Sequence, residues 1–264
     1  MPFTVSHAAA VLPFSRSLNR HHLLSAAIIG SMAPDFGYFL PWPTERLETH
    51  GIIPLFTFCL PVGLLTFWLF QYLLKQTLLE LLPDRVYWRW QNHVSPRSIR
   101  QPTVWLMAAI GILAGGVTHL AWDGFTHESA RGVQMFPSLH DPVELAGHSL
   151  YGYAALQLIS SVVGLAVVVG FVIYTLRPDT EATKRPARPL SPAMRRYWLK
   201  AIAIVAAGVF LSLFAIGFIE NFGGMGLQWK LREAAVAAMR SLVIALLSIS
   251  FALRKALRDG SQAA

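Results

Sequence analysis

The chain is poor in cysteine and in charge. Its 264 residues contain one cysteine, Cys59, so no disulfide framework can form within the chain, and Cys59 reads as a small buried hydrophobe inside an apolar run. Charged residues make up 14%, against the ~25% of an ordinary soluble domain, while 54% are hydrophobic. The N-terminal stretch MPFTVSHAAAVLPFSRSLNRHH lacks a signal peptide's order, because its apolar part precedes its basic residues and no small-residue cleavage site follows. There is no internal repeat and no β-strand pattern. The GGMG stretch at 223–226 is no phosphate loop, since neither a Lys-Ser/Thr pair nor a strand accompanies it.

Long apolar runs are what the chain has in abundance. Five segments reach the ~20 residues that a membrane-crossing helix needs: Ile52–Leu74, Thr103–Trp122, Tyr153–Leu176, Leu199–Ile219 and Ala234–Leu253. A sixth run, Leu23–Leu40, is broken by Pro34, Asp35 and Gly37 and either spans or re-enters. The expected fold is all-α: a polytopic membrane helix bundle of five transmembrane helices plus an N-terminal spanning or re-entrant helical element. It is expected to form one integral membrane domain over 1–264, with an N-terminal ligand-bearing segment at 1–50 and a Pro-rich, charged cytoplasmic linker at 177–198.

The net charge of +8 raises the question of nucleic acid. The basic residues lie instead in short connections. Lys75–Pro102 holds five Lys/Arg, Arg177–Lys200 holds seven and the tail after Leu253 holds three, whereas Asp123–Gly152 has only Arg131 and Glu220–Glu233 only Lys230 and Arg232. This asymmetry is the positive-inside pattern, which excludes a nucleic-acid partner as its cause. It predicts a cytoplasmic C-terminus and an outward-facing Asp123–Gly152 connection, which in a bacterial inner membrane faces the periplasm or exterior.

Polar groups gather on that outward side. His119, Asp123 and His127 in GGVTHLAWDGFTHES stand four apart and form a slanted stripe on a helix. A histidine and a carboxylate one turn apart can grip one metal ion; the bland alternative is a polar cluster at a helix end. His140 and Glu144 in HDPVE repeat the spacing, and His148 follows four later. Asp35, after Pro34 in an apolar run, needs a partner or serves as a helix N-cap. His50 precedes the first long span and is either a ligand or an interfacial histidine. His7 joins this set if Leu23–Leu40 only dips into the membrane, and lies on the opposite side if that run crosses. Gly115 and Gly116 permit close approach of a neighbouring helix. Arg131 either faces a substrate phosphate or sits at headgroups. Glu220 and Asn221 read as a polar cap beside a Gly-rich turn. His21, His22 and His93 read as solvated or headgroup-facing.

MPFTVSHAAAVLP, IGSMAPDF and GGVTHLAWDGFTH together resemble a family of bacterial membrane proteins called domain of unknown function 4184, over most of the chain. A wider resemblance is to inner-membrane-associated metal-dependent hydrolases, through His7, Pro34-Asp35, His50 and His119-xxx-Asp123. A more distant one is to the zinc-dependent phospholipase C and S1/P1 nuclease group, whose ligand order is matched by His7, Asp35, His50, His119-xxx-Asp123, His127 and His140-xxx-Glu144. These resemblances imply two or three Zn²⁺ ions, with Mn²⁺ or Fe²⁺ as alternatives. Asp123 would bridge metals, His50 and His119 would complete one site, and His127, His140 and Glu144 another. His7 would serve a third, and Asp35 would act as catalytic base or further ligand. The implied activity is a phosphoesterase acting at the outer membrane face on a lipid or lipid-linked substrate. Metal handling without hydrolysis and a purely structural membrane protein are the alternatives.

Overall fold

The computed structural model describes residues 4–20, 23–39, 46–91, 101–177, 188, 190–221 and 227–262. His21, His22, His93, residues 223–226 and half of the 177–198 linker lie outside them.

The described residues are helical almost throughout. A 3-10 helix, Thr4–Ala10, leads to α1 (Ser15–Arg20) and α2 (Leu24–Met32), which tightens into a second 3-10 stretch, Ala33–Phe39. After α3 (Arg46–Thr49) come α4 (Ile52–Leu81, with π-turns at Leu55–Cys59 and Phe70–Leu74), α5 (Asp84–Gln91) and α6 (Pro102–Thr126). Then follow α7 (Arg131–Met135), β1 (Pro142–Leu145), β2 (His148–Tyr151), α8 (Gly152–Thr175), α9 (Pro192–Asn221) and α10 (Leu227–Gln262).

Among the described residues, five helical stretches are long and apolar enough to cross a membrane: Ile52–Leu81, Pro102–Thr126, Gly152–Thr175, Pro192–Leu213 and Ala234–Ala256. They coincide with the five segments read from hydropathy, and they make this a multi-pass membrane protein. Their large apolar side chains stay exposed, as Leu106, Val162, Ile204 and Phe251 do. Lipid is as apolar as those side chains, so leaving them uncovered costs little there.

The absence of strands was a wrong expectation. β1 and β2 form an antiparallel hairpin that pairs Val143 with Leu150 and Glu144 with Ser149. Ala146 and Gly147 make its turn at φ +50° and +78°. Both central residues are left-handed, the conformation that suits a tight hairpin. Four-residue strands are too short for alternation to stand out, and the fourfold spacing of histidines mimicked a helix.

The described chain groups into two compact units, Met1–Phe67 with Ser98–Arg177, and Trp68–Arg97 with Pro178–Ala264. In the first, α2 packs along α6 through small residues. A methyl group at Gly115 would overlap the Ala27 carbonyl oxygen, and one at Gly30 would overlap the Ile112 backbone. Gly111 faces Ala26 in the same seam. Two backbones approach this closely only where side chains are missing. Ala33, Leu55 and Cys59 form a buried cluster beside it, so Cys59 is the packed hydrophobe expected.

In the second unit, Ile202, Ala245 and Ile249 form the core between α9 and α10. Arg188 binds the corner that follows α4. It donates to the Glu80 and Leu82 carbonyls at 2.7 and 2.9 Å and to Asp84 Oδ1 at 2.6 Å. Its guanidinium carbon lies 3.9 Å from the centre of the Tyr87 ring.

Candidate metal centre

Four segments of the first unit deliver five polar side chains to one point. His7 comes from the N-terminal 3-10 helix, Asp35 from the 3-10 stretch after α2, and His50 from just before α4. His119 and Asp123 come from successive turns at the end of α6. All are buried, their side chains between 0% and 5% exposed.

His7 and Asp35 lie on either side of α2 yet reach the same centre. The chain from 4 to 39 therefore runs out and back. His7 stacks on His119 with ring centroids 3.8 Å apart, and its Nε2 is 3.6 Å from Asp123 Oδ1. Of the two paths open to Leu23–Leu40, this geometry selects the one that lets His7 join the other candidates.

The distances within the cluster are regular. His50 Nε2 lies 3.3 Å from His119 Nε2, 3.4 Å from Asp35 Oδ1 and 3.6 Å from Asp123 Oδ2. His119 Nε2 lies 3.5 Å from Asp123 Oδ2 and 3.9 Å from Asp35 Oδ1. Charge-assisted N–H···O bonds close to about 2.7–2.9 Å, so these contacts are long for hydrogen bonds. The two shortest, His50 to His119 and His50 to Asp35, have the spacing of a coordination shell, and the others are slightly wider. Ligands at about 2.0–2.1 Å from one tetrahedral ion stand about 3.3–3.4 Å from each other.

Proton bookkeeping points the same way. His119 Nδ1 donates to the Ser31 carbonyl at 2.8 Å. A carbonyl only accepts, so Nδ1 carries a proton, and the ring turns its Nε2 toward His50. Thr49 Oγ1 lies 2.8 Å from His50 Nδ1 and holds that ring with its Nε2 toward the cluster. Such outer partners are the usual support of a histidine that binds metal through its other nitrogen. His7 Nε2 and Asp35 Oδ2 are buried with no hydrogen-bond partner. A buried polar atom without a partner is costly, and a cation would relieve both.

Charge agrees as well. Two buried carboxylates, Asp35 and Asp123, match one divalent cation. Burial pushes the His7 imidazole down from its ordinary 6.5 to about 4, with His119 beside it adding to the fall. His7 is then neutral at pH 7, as a ligand must be. Burial opposes the charge on Asp35, yet its contacts with His50, His119 and Thr4 hold the carboxyl below the usual range. Among the described residues, two ligand sets have donor atoms close enough for one ion, His7–His119–Asp123 and Asp35–His50–His119.

The remaining candidates belong to neither set, although His127 borders Asp123. His127 lies just past the end of α6 in an extended conformation, off the helical stripe that the spacing suggests, with Nδ1 3.5 Å from Asp123 Oδ2 and 3.3 Å from the Asp123 carbonyl. Its Nε2 lies 3.2 Å from Gln157 Nε2 on α8. Its side chain, 18% exposed, is more open than those of His7, His50 and His119. His140 and Glu144 are exposed, one at the end of the 3-10 turn Pro137–His140 and the other on β1; His140 packs edge-on against Tyr153. Arg131 is exposed at the start of α7.

Several supporting residues escaped the sequence reading. The Ser31 carbonyl is a backbone group with no sequence signal. Thr49 is one of many threonines. Gln157 offered a signal, a polar residue inside an otherwise apolar span.

Comparison with curated proteins and with solved structures finds no significant match. A family model does match, over residues 1–251, and it takes in every ligand just described. On that match the chain belongs to the family described as domain of unknown function (DUF4184).

Proposed function

We propose that this protein is a membrane-embedded, metal-dependent hydrolase whose favoured substrate is a phosphoester carried by a lipid. One observation carries the reading. His50 and His119 turn their Nε2 atoms toward each other at 3.3 Å while His119 Nδ1 is committed to Ser31. With His119 anchored through its other nitrogen, a cation between the two Nε2 atoms would take both as ligands. Buried carboxylates on two sides make the cation divalent, and imidazole with carboxylate suits Zn²⁺, then Mn²⁺ or Fe²⁺.

His50, His119, Asp35 and Asp123 would hold the ion, with His7 and Asp123 available to a second. When bound, such an ion supplies Lewis acidity to a phosphoryl oxygen. The protein's own groups supply the rest. Asp35 faces His50 and His119 with Oδ1 and keeps Oδ2 without a hydrogen bond, so Oδ2 is the atom to take a proton from an attacking water. His127, more open than His7, His50 or His119, is the group to return a proton to the leaving oxygen. The centre lies at the end of α6 opposite the basic Lys75–Pro102 connection, which puts it on the outward face by the positive-inside rule. That face of a bacterial inner membrane presents lipid headgroups to the site.

The test begins with elemental analysis of detergent-purified protein, wild type beside His119→Ala and His50→Gln, each checked for a monodisperse fold. The expected result is one or more equivalents of transition metal in the wild type, lost in both variants, with chelator-sensitive hydrolysis of phosphodiesters. A wild type without metal, purified from metal-supplemented cells, would reduce the cluster to a structural cap. Metal without hydrolysis of any phosphoester would favour metal handling.

A further inference from the structure

A cleft of about 230 Å³ opens beside the metal centre, between the N-terminal 3-10 helix, α6 and α8. Its walls are Ala9, Ala10, Val163, Gly164 and Val167, and His7 is part of its lining. Gly164 brings the 3-10 helix onto α8: a methyl group there would stand 2.8 Å from the Ser6 carbonyl oxygen. Trp122 Nε1 donates to Ser160 Oγ at 3.2 Å and ties α6 to α8 at the same level.

The depth of this cleft decides what can fill it. Ser160 and Val167 lie eight and fifteen residues after Gly152, the first residue of α8. At 1.5 Å per residue these positions are about 12 and 22 Å along the helix. The hydrocarbon core is about 30 Å thick, so the cleft lies within it. Leu158, Val162 and Ile173 on α8 are exposed, as lipid-facing side chains are. An apolar groove at that depth is in contact with acyl chains and not with water. Its volume is below the ~300–1,000 Å³ of sites that enclose a whole small ligand. It suits a segment of one chain.

His7 joins the cleft to the chemistry. It lines the groove and stacks on His119 in the metal centre. His119 lies seven residues before the end of α6, about 10 Å along the helix, so the centre sits nearer the membrane surface than most of the groove. We infer that the cleft is an acyl-chain subsite, and that the substrate is a membrane lipid phosphoester which enters sideways, with one chain between the 3-10 helix and α8 and its phosphate at the metal centre. This rests on the hydrolase reading for the phosphate, but not for the chain.

The experiment uses the full-length protein in nanodiscs with a phosphatidylcholine that carries a diazirine on one acyl chain. After irradiation, adducts are mapped by mass spectrometry in the wild type and in Val167→Trp and Ala10→Phe, which fill the groove from opposite walls. The expected result is adducts enriched at Ser6–Ala10 and Ser160–Val167 and reduced at least fivefold in both variants, with metal content unchanged. Adducts spread evenly over Leu158, Val162 and Ile173, or unaffected by the filling substitutions, would overturn the subsite. Turnover separates the two readings. If the wild type hydrolyses phosphoesters, the ratio of long-chain lipid to a soluble diester, bis(p-nitrophenyl) phosphate, should fall about tenfold in the variants; an unchanged ratio counts against the subsite. If the wild type hydrolyses nothing yet the adducts appear as expected, the hydrolase reading fails and the acyl-chain subsite stands.

Discussion

His119 donates its Nδ1 proton to the carbonyl of Ser31, 88 residues earlier in the chain, at 2.8 Å. The bond exists because α2 lies against α6 with almost no side chain between them. Ser31 follows Gly30 by one residue, and His119 follows Gly115 by one helical turn. The glycine seam that packs the two helices therefore also sets the tautomer of the central imidazole.

Filling that seam should disturb both. Gly115→Ala places a methyl group against the Ala27 carbonyl oxygen and Gly30→Ala one against the Ile112 backbone. Neither backbone can yield without the helices parting. Overpacking of this kind costs about 1–3 kcal/mol. Each variant is expected to show a lower thermal midpoint in detergent and to lose metal, whereas Gly170→Ala, where a methyl group meets nothing within 4 Å, should match the wild type in both measurements.

The outer support of His50 can be removed without changing shape. Thr49→Val keeps the volume at a buried position and deletes the hydroxyl beside His50 Nδ1. Loss of such a support usually weakens metal binding 10–100-fold. Competition with a chromophoric chelator should show that drop. An affinity equal to wild type would mean that Thr49 does not orient the ring.

The metal-free protein should be sensitive to acid through His7. Its folded value of about 4 lies below the ordinary 6.5. The native state therefore resists a proton that the unfolded chain takes up readily. Stability is fully present above pH 6.5 and is lost as the pH falls from 6.5 towards 4, by on the order of 3 kcal/mol at ~1.4 kcal/mol per unit. Chelator-treated protein unfolded at a series of pH values should show this slope, and His7→Gln should flatten it. A slope unaltered by that substitution would assign the acid sensitivity to other groups.

In the second unit, Glu80 is fully buried and has Arg188 as its nearest cation, with Nη2 3.9 Å from Oε2. Arg188 also accounts for two carbonyls at the end of the helix turn before α5. Removing one partner of a buried pair costs about 3–5 kcal/mol, because the other charge is left behind. Arg188→Ala should be destabilising by that order, and Glu80→Gln in the same chain should recover part of it. Additive losses in this double-mutant cycle would show that the two side chains are not coupled.

Much of this protein was legible from its residues alone. Hydropathy reads correctly for the five spans, since each is long, apolar and bounded by charges, and the cost of burying charge in lipid leaves little room for another arrangement. The His119-xxx-Asp123 pair was legible for the same kind of reason: one helical turn of separation puts two side chains on one face, whatever the rest of the chain does. Where a local rule met a different local structure, it misled. His140 and Glu144 have the same spacing, but Pro142 and the Ala146-Gly147 turn put them on a 3-10 turn and a strand, where four residues do not bring side chains together.

What the sequence by itself determined was the helices, their apolar faces and the stock of ligands, because periodicity and composition act within about twenty residues. Only the tertiary structure decided which ligands meet. His7, Asp35, His50 and His119 are brought together by an out-and-back path of the first 39 residues and by a seam of glycines and alanines that lets two backbones touch. Those are contacts between segments far apart in the chain, selected by close packing and by the partners that buried polar atoms require, and no spacing of letters encodes them.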